Sequence, residues 1–221
     1  MDKQRRLFLK NTAKASVGGA LAFGFGSSLA DELEQRNSKK IALVYASRYG
    51  STLDTAKWVV QGTGKEVDLV DIEKSDPASL AVDYDTLILG SGVWTGGPHS
   101  RLRAFTRNYA AALKDKVLAV FVVCGTEPTS PSSRKRIDGY LQQIVHPLEE
   151  APAFQTSLGG RIIVEQLNEQ DKAALTRFYR EFMKKELHSW DKTSPEKAGR
   201  FGASLKDELE LESGFSLWKW L

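Results

Sequence analysis

Lys39 and Lys40 lead into Ile41-Ala42-Leu43-Val44-Tyr45-Ala46, and Ser47-Arg48-Tyr49-Gly50-Ser51-Thr52 follows at once. Six apolar residues, rich in branched side chains and too few for a buried helix, predict a buried parallel strand. The hydroxyls and the glycine behind it open into a helix-periodic pattern. A strand ending in such a loop leaves free backbone N–H groups and the positive end of a helix dipole facing an anion. Gly50 lets the backbone come close, and Ser47, Ser51 and Thr52 add hydroxyl donors. The group that suits this arrangement best is a phosphate. The spacing is neither G-x-x-x-x-G-K-[ST] nor G-x-G-x-x-G, which disfavours a nucleoside triphosphate or a dinucleotide. The alternative is an ordinary strand–loop–helix turn with a serine cap.

Further strands and helices alternate behind this unit. Leu53, Ala56, Val59 and Val60 share one face of a helix over 51–61, stopped by Gly62 and Gly64. Residues 67–72 alternate as a strand near the sheet edge, and 80–84 read as a short connection. A third strand covers 86–90, and Ser91-Gly92-Val93-Trp94-Thr95-Gly96-Gly97-Pro98 follows it as a glycine-rich loop. Ser100 is the expected cap of a helix with Leu102, Phe105, Tyr109 and Leu113 at core spacing. The fourth strand, 117–123, exits into Cys124-Gly125-Thr126-Glu127-Pro128. Ile137, Tyr140, Leu141, Ile144, Val145 and Leu148 then mark a helix. A fifth strand spans 154–164, bent at Gly159-Gly160. The last helix is expected over 169–189, with Leu175, Phe178, Tyr179, Phe182, Met183 and Leu187 inward. Five strands alternating with helices imply an α/β fold: a doubly wound parallel sheet with helices on both faces.

Composition limits the chemistry. One cysteine excludes an internal disulfide and any multi-cysteine metal or cluster site, and three scattered histidines give no metal-ligand spacing. Cys124 at a strand end reads as a small hydrophobe and not as a nucleophile. No catalytic residue and no metal site is assigned, so the chemistry is expected from an organic cofactor. A formal net charge of +3 is too slight to imply nucleic acid.

Residues 1–30 carry Lys3, Arg5, Arg6 and Lys10, a Gly/Ala-rich run, and Ser28-Leu29-Ala30 before Asp31. This is the make-up of a secretory signal. Arg5-Arg6-Leu7-Phe8-Leu9-Lys10 resembles the twin-arginine export signal, which implies a periplasmic protein that crosses the membrane folded, with its cofactor loaded. An uncleaved signal acting as a membrane anchor is the alternative. Residues 31–39 read as a linker, 40–190 as the globular domain, and 191–221 as a tail without a clean period that ends near Trp218 and Trp220. The tail either packs on the domain or docks on a partner or a membrane.

Ser47-x-x-Gly50-x-Thr52 resembles the phosphate loop of flavodoxins, with Tyr49 where that family usually has a further threonine. Gly90-Ser91-Gly92-Val93-Trp94 is similar to the flavodoxin loop whose tryptophan lies against the flavin ring. Arg48 at the second position of the phosphate loop, and the run from Gly90 to Phe105, look closest to the menaquinone-dependent, flavodoxin-type protoporphyrinogen oxidases. The resemblance implies a sheet order of 2-1-3-4-5 and one bound flavin mononucleotide (FMN) at its carboxyl edge. It places the phosphate on Ser47, Arg48, Tyr49, Gly50, Ser51 and Thr52. The ring falls to Ser91, Gly92, Val93, Trp94, Thr95 and Gly96, and to Cys124, Gly125 and Thr126. The function so implied is electron transfer with a redox protein or a small quinone-like molecule. The alternatives are a flavin-dependent dehydrogenase or quinone reductase of protoporphyrinogen oxidase type, and a flavin-free binding module on the same fold. Arg101 and Arg103, just after the tryptophan loop, are expected to make the ring's surroundings less anionic.

Overall fold

A computed structural model describes residues 39–213. The signal, nearly all of the linker and the Trp218/Trp220 end fall outside them. β1 (Ile41–Ala46) is buried along its whole length. It pairs in parallel with β2 (Asp68–Asp71) on one side and β3 (Thr86–Trp94) on the other. β4 (Gly97–Pro98) folds back antiparallel on the end of β3. Beyond β3 lie β5 (Val117–Cys124) and β6 (Phe154–Gly159), both parallel. The order is β2-β1-β3-β5-β6. Counting only the parallel strands, this is the doubly wound five-stranded sheet in the order 2-1-3-4-5.

Helices α1 (Ser51–Thr63), α2 (Pro77–Asp83), α3 (Ser100–Asn108) and α4 (Pro131–Val145) link these strands. Alternate residues of each strand serve opposite faces. Val44, Leu89 and Val122 pack with Leu80 of α2, Phe105 of α3, and Ile137 and Ile144 of α4. Leu43, Ile88 and Phe121 face the other way, toward Ala56 and Val59 of α1. Each of these Leu, Ile, Val and Phe side chains, once buried, contributes about 1.5–3 kcal/mol.

Several elements depart from the sequence-based expectation. Residues 77–83 form α2, covering most of the connection expected at 80–84, because Asp76 accepts hydrogen bonds from the N–H groups of Ala78 and Ser79 and Pro77 starts the turn. β3 runs on through Trp94: Ser91 and Gly92 pair with Val122 and Val123, and Val93 and Trp94 with Pro98 and Gly97. The true loop shrinks to Thr95 and Gly96, with φ of 42° and 105°. His99, not Ser100, caps α3, accepting from the Arg101 N–H. The expected fifth strand breaks at Gly160. β7 (Arg161–Ile162) leaves the main sheet and pairs antiparallel with β8 (Trp190–Asp191).

The last expected helix is also shorter. α5 (Glu169–Phe178) passes into one π-helical turn, Tyr179–Met183, which ends at Lys184. Leu175 is buried, but Phe182 and Met183 are exposed instead of inward. The place beside α1 is taken by α6 (Pro195–Ser204), from the stretch that has no clean period. α7 (Lys206–Ser213) follows it. Ala198, Leu205 and Leu209 join the core on that face. Residues 161–192 are thus an insertion between the last parallel strand and the helix that closes the fold.

Candidate functional site

A cleft of about 490 Å³ opens where β1, β3 and β5 end. The turn from a strand to the next helix on the other face leaves this edge free, as it does in doubly wound sheets. All of the residues expected at the site line the cleft except Gly50 and Ser91. Gly50, with φ of 82°, precedes α1 and turns the chain into it. Ser91 is fully buried; its hydroxyl accepts from the His99 N–H at 2.9 Å and donates to the Gly92 carbonyl at 3.0 Å. It braces the strand and does not face the cleft.

The loop after β1 has one unusual feature. Ser47 Oγ is buried without a hydrogen-bond partner among the described residues. Among the described residues, no side chain caps the N-terminus of α1 beside it. Thr52 is 2% exposed. A β-carbon built on Gly92 would lie 2.8 Å from Thr52 Oγ1, so a larger residue there would push the Thr52 hydroxyl from its place.

Arg48 and Tyr49 line the cleft but are held from its far wall. The Arg48 guanidinium donates to Asp171 of α5 through Nε at 2.7 Å and Nη2 at 2.6 Å. The Tyr49 hydroxyl donates to the same carboxylate. Burial, and then this hydrogen bond, push the Tyr49 hydroxyl above its ordinary pKa. Arg48 also lies over the Trp94 ring, 4.7 Å from its centroid, and the Tyr49 ring is 5.8 Å from it. The two residues therefore tie three elements together.

On the other side, Gly125 is pressed against a second tryptophan. A β-carbon there would fall 2.7 Å from the Trp190 ring. Trp190 Nε1 donates to the Tyr179 hydroxyl at 2.6 Å. Lys192 donates to the Gly125 carbonyl and pairs with Glu127, which holds that carboxyl below its usual range. Burial pushes the Cys124 thiol up, and its Sγ donates to the Thr126 carbonyl. That is the behaviour of a packing thiol.

Sequence reasoning missed Trp190, Tyr179 and Arg161. All three line the cleft and belong to the insertion 161–192. Arg161 pairs with Asp54 of α1 at 2.6 Å and with Asp191 at 3.8 Å. The one local signal was the glycine pair at 159–160, where β6 ends and the insertion begins. Arg101 and Arg103 do not reach the cleft. Arg101 donates to the carbonyls of Ile72 and Ser75, and Arg103 to Gln143. Among the described residues no group of His, Cys, Asp and Glu could hold a metal ion.

The family model described as flavodoxin domain matches residues 42–189. Similar solved structures include oxidised flavodoxin 1 from Bacillus cereus: 22% identity over 66% of this chain and 97% of that one, with a TM-score of 0.41. A flavodoxin from the domain Archaea is 12% identical over 77% of this chain and 99% of its own, with a TM-score of 0.46. The flavodiiron protein from Giardia intestinalis is 14% identical over 95% of this chain and 48% of its own, with a TM-score of 0.44. No curated protein sequence matches. With its sheet order, its cleft and a family match over most of its length, the chain belongs to the flavodoxin domain family.

Proposed function

We propose that the chain binds FMN in this cleft and passes electrons through it. The buried, unpartnered Ser47 hydroxyl carries the cofactor assignment. A buried hydroxyl left unpaired costs about 1–3 kcal/mol, a cost that a phosphate oxygen removes. The hydroxyl stands beside the uncapped N-terminus of α1, where a dianion is favoured. The residues present therefore fit a flavin phosphate. Ser47, Ser51 and Thr52 would hold it, and Trp94 with the backbone of Gly92 and Gly125 would hold the ring. A bound flavin supplies reversible uptake and release of electrons. The chain's part is to orient the ring and keep water from it with apolar surface.

A second reading is an enzyme, a dehydrogenase or quinone reductase of protoporphyrinogen oxidase type. What favours it is the extra wall of Phe178, Tyr179, Met183 and His188, which lies outside the three loops a flavin needs. Steady-state turnover with a quinone or a porphyrinogen separates enzyme from carrier. Export by the twin-arginine route completes the proposal and rests on Arg5 and Arg6. Replacing both by lysine should leave the protein in the cytoplasm; unchanged export would overturn that part.

The cofactor is tested by the absorption spectrum of protein purified without added flavin, followed by the mass of the released chromophore. A yellow protein releasing FMN is expected. A colourless protein that takes up no FMN, or one releasing only the adenine dinucleotide, overturns the assignment.

A further inference from the structure

We propose that the turn Tyr179–Met183 is a docking point for an anionic lipid bilayer. The helical period over 169–189 would put Phe182 and Met183 on the buried side with Leu175. The π-helical turn takes up an extra residue and swings both outward, leaving Phe182 73% and Met183 41% exposed. Such turns are rare and cluster at functional sites. Lys184 follows with φ of 53°, a left-handed backbone that is unfavourable for lysine and stops the helix there. Phe182 keeps a ring contact with Phe178, at a centroid distance of 5.5 Å.

The charges around this tip complement an anionic surface. Arg177, Arg180, Lys184 and Lys185 are all exposed, and none forms a salt bridge among the described residues. Two carboxylates share the stretch, Glu181 and Glu186. Four cations against two carboxylates, beside an outward phenylalanine and methionine, form an interfacial lipid anchor in miniature. A protein partner fits less well. A standard protein interface covers about 800 Å² on each side, far more than two side chains on one turn provide. A bilayer needs only a few apolar groups seated among headgroups with cations next to them.

The placement has a consequence for the cleft. Phe178, Tyr179, Met183 and Lys185 line it as well as forming or flanking the turn. A bilayer bound here sets the cleft's mouth at the level of the headgroups, within reach of apolar redox molecules dissolved in the lipid.

The test is co-sedimentation of the full chain with vesicles of phosphatidylcholine alone, or of phosphatidylcholine with phosphatidylglycerol. Binding to the anionic vesicles only, weakening as salt is added, is expected. Phe182→Ser with Met183→Ser, and separately Lys184→Gln with Lys185→Gln, should each weaken it about tenfold or more. All four side chains are exposed, so thermal melts should match wild type, which shows that the variants fold. Failure of wild type to bind anionic vesicles overturns the proposal. So does equal binding by both variants, which would move the contact to another segment. Capture by an acidic protein surface with no vesicle binding would replace the bilayer with a protein partner. None of these outcomes depends on the flavin.

Discussion

Arg48 and Asp171 stand 123 residues apart in sequence and meet through two hydrogen bonds, one from Nε at 2.7 Å and one from Nη2 at 2.6 Å. The pair is asymmetric, with the Asp171 side chain 4% exposed and that of Arg48 47%. The carboxylate is therefore the group that depends on its partner. It also accepts from the Tyr49 hydroxyl and the Asn168 amide, but those donors are neutral.

This asymmetry predicts unequal costs. Arg48→Met strands a buried carboxylate and should cost about 3 kcal/mol of stability. Asp171→Asn returns the half-exposed Arg48 to water and should cost about 1–2 kcal/mol. Urea midpoints of the two variants measure the difference. Equal costs would mean that the exposed partner contributes no more than a surface charge.

Ser47→Ala should act in opposite directions with and without cofactor. Removing a buried hydroxyl that has no partner leaves the flavin-free protein as stable as wild type, or about 1 kcal/mol more so. With FMN held as proposed, the same change would remove a charge-assisted hydrogen bond to its phosphate, so FMN affinity should drop about tenfold or more. Thr52→Ala should weaken FMN similarly. Melts of the flavin-free protein and fluorescence titration with FMN give the two numbers. Unchanged FMN affinity in both variants would put the phosphate elsewhere.

Gly202 of α6 crosses α1 so closely that a β-carbon would lie 2.0 Å from the Val59 carbonyl oxygen, and one on Gly62 would lie 2.2 Å from that of Gly199. Backbone cannot yield as a side-chain tip does. Gly202→Ala should therefore cost about 1–3 kcal/mol, or about 2–4 °C in Tm for each kcal/mol. Beyond its own helical turn, Gly139 in α4 has nothing among the described residues within 4 Å of such a carbon. Gly139→Ala should stabilise by about 0.5–1 kcal/mol through helix propensity alone. Calorimetry of the two variants should show shifts of opposite sign.

Burial holds the Cys124 thiol protonated above its ordinary range. In the unfolded chain the thiol ionises earlier, so it favours unfolding as pH rises through that range. Iodoacetamide at about pH 8.5, near the pKa of a free cysteine, should label the native protein slowly and the urea-unfolded protein fast. Fast native labelling would overturn the reading of Cys124 as a packing thiol.

The sheet and its loops were legible locally. A run of apolar residues at 41–46 or 117–123 declares a buried strand without reference to anything distant, and the strand–helix alternation sets the architecture. The loops after those strands must fall at one edge, so Ser47, Trp94 and Gly125 came together from sequence alone. The helix that closes the fold was legible only in hindsight. Ala198, Gly202, Leu205 and Leu209 do keep a helical spacing, but the first two are too small to register as apolar, and small size is what the close crossing with α1 requires. The stronger apolar pattern at 175–187 took that role in the sequence. A single π-helical turn, which no periodicity announces, shifts its phase and exposes Phe182.

Only the tertiary structure decided what stands across the cleft from the flavodoxin loops. Whether Arg48 reaches phosphate or Asp171, and whether Gly125 is a turn or a seat for Trp190, depends on where the insertion 161–192 settles once β6 has ended. Periodicity reports which side of a segment is buried, because burial acts on each residue singly. It carries no information about which two buried groups meet, because that depends on closing the chain over more than a hundred residues.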